Sequence, residues 1–410
     1  MLKNQLITPE GTKDYLFAEA AAQQKVKKNL RELFESRGFS EVITPGLEFL
    51  DVFSVKGHSI PVDYMYKLTD HKGRLMVLRP DSTMPIARLC ATRLKGSGLP
   101  LRLYYNQPVY SANRTLRGRS DESMQAGVEL IGSCSMKADL EIISTAVQAL
   151  TECGRDSCLL ENFRLEIGHI GIFNALADQL QLDENAREEL RLMIESKNYP
   201  ALGDMLDAYS DREAAAVLKQ LPRLFGGAEV FEKAASLLGG NESAAGTLAY
   251  LQTIYRNLQK LGMKDSIAVD LGIVNRTDYY TGVVFKGYIE GHGEEVLSGG
   301  RYDSLMSQFG EDAGAIGFAV NVDAVARALL NQRGIEISPV EVLVYGEAGF
   351  EMEALAHLNS LTQQGIRAEF ALFDTKEEAL NNARKNGISR LDVLSSAGVQ
   401  SVAAETGGTV

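Results

Sequence analysis

A polar strand face carries the first residues that could bind a small ligand. Along residues 124–131, Gln125, Gly127 and Glu129 alternate with apolar residues, and alternate residues of a strand point to the same side. This pattern predicts a ligand pocket on that side, with an exposed sheet face as the alternative. Gln125 and Glu129 could accept hydrogen bonds from the ammonium group of an amino acid or from an imidazole N–H.

Asp81 and Thr83 offer two more oxygen groups. They follow a predicted β-hairpin over residues 66–78 and precede a predicted helix that runs to about residue 94. At the mouth of a pocket, a carboxylate and a hydroxyl could bind an ammonium group. The alternative is a helix cap, because Asp and Thr are favoured at helix N-termini.

Two adjacent tyrosines lead into a β-prone run. Tyr279 and Tyr280 precede Thr-Gly and residues 283–285, Val-Val-Phe, which are typical of a strand. Because neighbouring strand residues face opposite ways, we expect one tyrosine to line the pocket and the other to pack.

Three arginines cluster in a polar loop. Arg114, Arg117 and Arg119 surround Gly118 between two predicted strands. Guanidinium groups bind phosphate with paired hydrogen bonds, so this loop could hold an anion. A solvated hairpin tip is the alternative.

Composition limits the class of protein. The chain has 410 residues, 45% hydrophobic and 23% charged, with a net charge of -12. The length predicts two or three domains, and the acidic balance opposes a large basic surface for nucleic acid. There is no apolar run long enough to cross a bilayer and no signal-peptide pattern. We therefore expect a cytoplasmic protein without a membrane partner.

Metal and cofactor chemistry has no support in the sequence. The four cysteines include one close pair, Cys153 and Cys158, that no second pair matches, and the five histidines are scattered. Zinc sites need clustered thiolate or imidazole ligands, so we expect reduced cysteines, no metal and no cofactor.

The remaining pattern predicts the elements that position these residues. A helix over residues 18–37 leads into a strand at 39–45, and residues 171–262 have helical periodicity throughout. Residues 339–410 predict a small βαβαβ unit. Further predicted strands and helices cover residues 101–110 (strand), 124–131 (strand), 139–152 (helix), 163–167 (strand), 266–270 (strand), 314–321 (strand) and 322–330 (helix).

Several ordered motifs resemble the class II histidyl-tRNA synthetases over nearly the whole chain. They are Pro45 and residues 79–83, 110–129, 278–285, 298–303 and 314–318. The resemblance implies an α+β fold with an antiparallel sheet of six or seven strands flanked by helices. It places a synthetase-like domain at 1–331, with a helical insertion at about 171–262. The small C-terminal α/β domain, 339–410, is shorter than the anticodon-binding domain of that family. Dimerisation through the first motif is also implied.

The chain departs from this family where the enzymes carry arginines. Ser111 follows Tyr110, Asn275 stands three residues before Asp278, and Ala324 ends the third motif. Each such charge contact contributes roughly 2–4 kcal/mol to the transition state. Without three of them, adenylate formation should be lost, unless Arg276 or Arg114 supplies a replacement.

The residues that would hold an amino acid are retained. By resemblance, Asp81 and Thr83 bind the ammonium group, Gln125 contacts the amino acid, and Glu129 and Tyr280, with Tyr279 beside them, recognise the imidazole. A histidine pocket without ATP activation resembles the regulatory subunits of ATP phosphoribosyltransferase.

That second resemblance implies a chain with no catalytic residues. Its partner would be a short-form catalytic subunit in a hetero-octamer, with histidine as feedback inhibitor and no tRNA. Arg114, Arg117 and Arg119 would then be a subunit contact, a residual anion site or solvated. The alternatives are a working histidyl-tRNA synthetase and a synthetase-like protein with another partner or amino acid.

Overall fold

The structure is a computed structural model that describes residues 6–55, 60–112, 120–154, 162–209, 211–274, 279–332 and 339–404. It divides into two compact units, Met1–Ile335 and Glu336–Val410. Within the described ranges, no helix combines the length and the apolar character that crossing a bilayer requires.

The first unit contains one large sheet, a small three-stranded sheet, and the helices packed around them. Its helices are α1 (Phe17–Ser36), α2 (Thr83–Thr92), α3 (Met136–Glu152), α4 (Ile170–Gln179), α5 (Glu184–Glu195), α6 (Tyr199–Asp207), α7 (Arg212–Gln220), α8 (Glu229–Leu238), α9 (Glu242–Lys260), α10 (Asp303–Gln308) and α11 (Val322–Gln332). Its strands are β1 (Ser40–Glu41), β2 (Leu47–Phe49), β3 (Lys67–Thr69), β4 (Leu75–Leu78), β5 (Leu101–Tyr110), β6 (Glu122–Ile131), β7 (Phe163–His169), β8 (Phe225–Gly226), β9 (Ile267–Asp270), β10 (Val283–Ile289), β11 (Leu297–Arg301) and β12 (Ala315–Asn321).

The large sheet has nine described strands in the order β1-β5-β6-β12-β11-β10-β7-β9-β8. The expected six or seven strands are therefore too few. Two short edge strands, β1 and β8, account for the difference. The sheet is also not wholly antiparallel, because β1 pairs with β5 and β7 pairs with β9 in parallel. The strand expected at 39–45 is reduced to Ser40–Glu41.

One face of this sheet is covered by helices. Val26, Leu30 and Phe34 of α1 are fully buried in a core that includes Val128 of β6 and Phe318 of β12. These three residues of α1 have the spacing of one helix face. Gly38 follows the helix with a left-handed φ of 78°, a conformation that favours glycine at the end of a helix. The opposite face carries Glu129 of β6 and packs against a second core that includes Leu103 and Tyr105 of β5 and Met84 of α2.

The insertion is helical, with one departure. Residues 171–262 contribute α4 to α9, as the periodicity predicts. The glycine pair at residues 226–227 separates two helices, and its first residue also belongs to a strand. Phe225–Gly226 forms β8, which extends the large sheet by pairing with β9.

The second unit contains β13 (Val342–Gly346), α12 (Glu351–Gln363), β14 (Ala368–Phe370), α13 (Lys376–Lys385), β15 (Arg390–Ser395) and β16 (Gly398–Ala403). Strands β13, β14 and β15 are parallel, as βαβ crossovers require. The predicted unit lacks β16, a fourth strand that forms an antiparallel hairpin with β15.

Candidate ligand-binding site

A cavity of about 240 Å³ lies on the polar face of the large sheet. All six residues proposed for ligand binding from the sequence line it. The described residues around it are Asp81, Thr83, Tyr105, Gln125, Glu129, Tyr279, Tyr280, Glu295, Ser298, Tyr302, Gly317, Phe318 and Ala319.

Glu129 of β6 is the buried acid at the centre of the site, with 1% of its surface exposed. The hydroxyl of Thr83 donates to its Oε1 at 2.8 Å, and the hydroxyl of Tyr302 donates to its Oε2. Burial raises the pKa of Glu129 to about 8, although both hydroxyl donors oppose that rise. At neutral pH the carboxyl is therefore mostly protonated.

Asp81 fulfils both roles that the sequence left open. Its Oδ1 accepts a hydrogen bond from the backbone N–H of Met84 at 2.8 Å, which caps α2. The same side chain lines the cavity. Burial raises the pKa of Asp81 to about 6, so the group is mostly ionised at pH 7.

The tyrosines do not divide as expected, because both Tyr279 and Tyr280 line the cavity. Their ring centroids are 4.9 Å apart, and the ring of Tyr302 meets that of Tyr279 edge-on at 5.8 Å. Strand β10 begins at Val283, so residues 279 and 280 precede it and strand alternation does not apply to them. The three rings form an aromatic wall suited to a planar ligand.

Two glycines allow Glu129 and Tyr105 to lie close against the neighbouring strands. A Cβ on Gly317 of β12 would lie 1.9 Å from Oε2 of Glu129, and a Cβ on Gly127 of β6 would lie 2.5 Å from the hydroxyl of Tyr105. Any larger residue at these two positions would displace the acid or the tyrosine.

Four lining residues have no ligand role predicted from the sequence: Tyr302, Tyr105, Glu295 and Ser298. Tyr302 and Ser298 lie in the motif at residues 298–303. Their place in that motif is the sequence signal that could have indicated a role at the site. Glu295 pairs with Lys286 at 3.0 Å, and nothing in its local sequence indicates that it faces the cavity.

The described lining has three carboxylic acids and no Lys, Arg or His. Two arginines of the described ranges near the cavity are engaged in structural contacts. Arg79 donates from Nε to Pro108 O and from Nη1 to Thr44 O, and Arg301 pairs with Asp139. Such a site favours a ligand with positive charge or N–H donors.

Two of the three departures from the synthetase motifs lie in the described part of the chain. The N–H of Ser111 donates to Asp121 O at 2.7 Å. Ala324 is buried in α11. Beside it, Asp323 accepts from Gln23 Nε2 at 2.8 Å and from the N–H of Met124 at 2.7 Å. This carboxylate therefore fixes α1 and β6.

Several predicted residues lie outside the described ranges. They are Arg114, Arg117, Arg119, Asn275, Arg276 and Asp278. Across the residues that the structure does describe, no three His, Cys, Asp or Glu side chains come together as a metal-binding group.

Comparison with known proteins identifies the family. A family model described as histidyl-tRNA synthetase matches residues 11–325. The ATP phosphoribosyltransferase regulatory subunit of Clostridium kluyveri is 41% identical over 389 residues, which cover 94% of this chain and 98% of that protein. The Bacillus cereus regulatory subunit is 38% identical over 392 residues, or 95% and 91% of the two chains. This chain belongs to the family of ATP phosphoribosyltransferase regulatory subunits.

Solved structures agree with this family. A Bacillus halodurans protein described as an ATP phosphoribosyltransferase regulatory subunit/histidyl-tRNA synthetase superposes with a TM-score of 0.81 at 31% identity, covering 93% of this chain and 97% of that one. The histidyl-tRNA synthetase of a Nostoc species gives a TM-score of 0.78 at 21% identity over 98% of each chain, which shows the fold alone. The class II synthetase-like fold expected from the motifs is confirmed.

Proposed function

We propose that this chain is a non-catalytic subunit that binds histidine in the cavity and regulates a short-form ATP phosphoribosyltransferase catalytic subunit, the first enzyme of histidine biosynthesis. The observation that carries the proposal is the cavity lining. It brings together the six positions proposed for amino-acid binding, while the described motif positions 111 and 324 hold serine and alanine.

The lining suits histidine in two ways. Asp81, Thr83 and Glu129 present oxygen acceptors for an ammonium group and an imidazole N–H, and a carboxylate also stabilises nearby positive charge. The rings of Tyr279, Tyr280 and Tyr302 offer an aromatic wall to the flat imidazole.

The first test is titration calorimetry of the whole chain with histidine and then with ATP. We expect histidine to bind and ATP to produce no heat of binding. Histidine-dependent ATP–pyrophosphate exchange should be absent. Detection of that exchange would instead support a working histidyl-tRNA synthetase, which is the second candidate because the synthetase family model spans most of the chain.

Regulation needs its own experiment with the catalytic partner. A ligand shifts an assembly between states only when it binds those states with different affinity. We expect the short-form catalytic subunit to be activated by this chain, and histidine to inhibit the complex. Glu129→Gln should reduce that inhibition while leaving activation intact. Equal inhibition of wild-type and variant complexes would place the inhibitor site elsewhere.

Self-association as a dimer is part of the proposal. Strands β2, β4 and β3 form a small antiparallel sheet in which Phe49, Met76 and Leu68 share a face. Phe49 and Leu68 expose 39% and 42% of their surface, and Leu47 beside them exposes 44%. An apolar patch of this kind favours burial against a second copy.

The assembly state can be measured by native mass spectrometry. The spectra should show a dimer of this chain and a hetero-octamer with the catalytic subunit. Leu47→Lys together with Leu68→Lys should give a folded monomer, whereas an unchanged dimer would assign the interface to another surface. The acidic charge of -12 supports the absence of tRNA as a partner, and a filter-binding assay with tRNA tests that directly.

A further inference from the structure

A buried arginine stands next to the cavity without lining it. Arg301, the last residue of β11, exposes 8% of its side chain. Its Nε and Nη2 donate to Oδ1 of Asp139 on α3 at 2.9 and 2.5 Å, and its Nη1 donates to Oδ1 of Asp303 at 2.9 Å. These two carboxylates, together with the carbonyls of Ser133 and Ser135 that accept from Nη1 and Nη2 at 2.9 and 3.4 Å, hold the guanidinium in one orientation.

Arg301 in turn holds the segment that carries two of the cavity tyrosines. The N–H of Thr281, directly after Tyr280, donates to the carbonyl of Arg301 at 2.7 Å. Gly282 lies against the same side chain, since a Cβ there would be 2.9 Å from Cδ of Arg301. On the other side of Arg301 follows Tyr302. The tyrosine wall, defined as Tyr279, Tyr280 and Tyr302, is thus fixed around Arg301.

The same contacts continue into the helical insertion. The other oxygen of Asp139, Oδ2, accepts a hydrogen bond from the hydroxyl of Tyr250 on α9. The ring of Tyr250 meets the ring of His169 edge-on at 6.0 Å. Nδ1 of His169 accepts from the N–H of Gly171 at 3.1 Å and caps α4. Burial and the charge of Arg301 lower the pKa of His169 to about 4, so the ring stays neutral and keeps its acceptor.

We propose that Tyr250, acting through Asp139 and Arg301, is a positioning residue for the tyrosine wall, so that the helical insertion contributes to ligand affinity. No described lining residue of the cavity belongs to α4–α9, so this contribution is indirect. Without the hydroxyl of Tyr250, a buried carboxylate oxygen lacks its donor. The carboxylate of Asp139 is then free to rotate. Its hydrogen bonds with Arg301 weaken, because Tyr250 and Arg301 donate to the same carboxylate.

Tyr250→Phe tests this with the loss of one hydroxyl and no change in the ring. Tyr255→Phe is the matched control, because Tyr255 lies on the same helix and packs against Phe231 at 5.4 Å, away from Asp139. The inference rests on the proposed function in using histidine as the ligand. A second measurement, hydrogen–deuterium exchange of the peptide that covers residues 279–284, needs no ligand.

We expect Tyr250→Phe to weaken histidine binding about three- to tenfold and to speed exchange at residues 279–284, with neither change in Tyr255→Phe. Arg301→Lys should change both in the same direction and further. If Tyr250→Phe lowers the melting temperature but leaves histidine affinity and the exchange rate at wild-type values, Tyr250 only stabilises the fold and the inference is wrong. If the wild type binds no histidine, the proposed function fails, and the exchange result alone decides the inference.

Discussion

At the scale of single residues, the protonation state of Glu129 sets the charge of the candidate site. Its carboxyl is buried, accepts from two hydroxyl groups and has Asp81 as an acidic neighbour. Because burial outweighs the two donors, the proton stays on Glu129 at neutral pH unless a positive charge arrives. The residue therefore responds to a cationic ligand in a way that an exposed glutamate would not.

This gives a prediction for stability. The folded-state pKa of Glu129, about 8, lies above its ordinary value of 4.5, so the native state keeps a proton that the unfolded chain releases. That contribution to stability is complete below the unfolded value and falls as pH rises towards the folded pKa, by at most about 1.4 kcal/mol per pH unit. Glu129→Gln, which resembles the protonated acid, should therefore gain stability over wild type as pH rises from about 5 to 8. Urea unfolding across this range measures it.

Glu166 provides the comparison for this prediction. It is also a carboxyl whose pKa burial raises, to about 7, but it is absent from the described cavity lining. Glu166→Gln should alter the pH slope of stability and leave histidine binding unchanged. A Glu129→Gln variant whose stability runs parallel to wild type at every pH would contradict the assigned protonation state.

Proton release on binding is the second residue-scale prediction. An ammonium or imidazole N–H beside Glu129 lowers the pKa of that carboxyl. Histidine binding at pH 7 should then release protons, which calorimetry detects as a binding enthalpy that depends on the ionisation enthalpy of the buffer. Glu129→Gln should remove most of this dependence. The same dependence in wild type and variant would assign the proton to another group.

At the scale of elements, the site depends on how closely β5, β6 and β12 approach one another. Gly127 of β6 allows this, because a Cβ there would lie 2.3 Å from the carbonyl of Phe318. A backbone atom cannot move aside as a flexible side chain can. The contact therefore constrains the positions of Gln125 and Glu129 along the same strand.

Gly127→Ala should destabilise the protein by about 1–3 kcal/mol, since overpacking forces the strands apart, and should weaken histidine binding. Gly246→Ala is its control. Gly246 is exposed within α9 and a Cβ there meets nothing within 4 Å, so alanine should stabilise the helix by about 0.5–1 kcal/mol. Denaturant unfolding distinguishes the two. Equal stability of Gly127→Ala and wild type would mean that the strands relax freely at this point.

The sequence predicts the direction of some of the cavity side chains but not of all of them. The alternation of residues 124–131 predicts the side of β6 that faces the cavity, because burying Val128 on one face turns Glu129 to the other. For Tyr279 and Tyr280, the expectation from strand alternation is wrong. They stand before the strand, where contacts with Arg301 and Gly300 set their direction in place of the pleat.

At the scale of the whole molecule, each unit has cores of its own. Leu343, Leu391 and Val393 belong to a core that consists of residues from the second unit. Every described lining residue of the cavity belongs to the first unit. We therefore expect ligand binding to survive deletion of the second unit.

A chain that ends at residue 335 should bind histidine with an affinity within about twofold of the full chain, because no described cavity residue is removed and the core around α1 and α3 remains. Titration calorimetry and a circular dichroism melt of the shortened chain measure this. A folded truncation that no longer binds histidine would show that the second unit supports the site.

The sequence by itself determined the residue types and the local elements. The stripe of α1, the polar face of β6 and the paired acids and hydroxyls are local patterns, and local patterns follow from backbone periodicity. Tertiary structure decided which distant residues meet. Tyr302 reaches Glu129 across 173 positions and Arg301 reaches Asp139 across 162. Such contacts depend on strand order and on the close approach of β11, β12 and β6. No local pattern encodes that order, because it results from how all the strands and helices bury their apolar faces together.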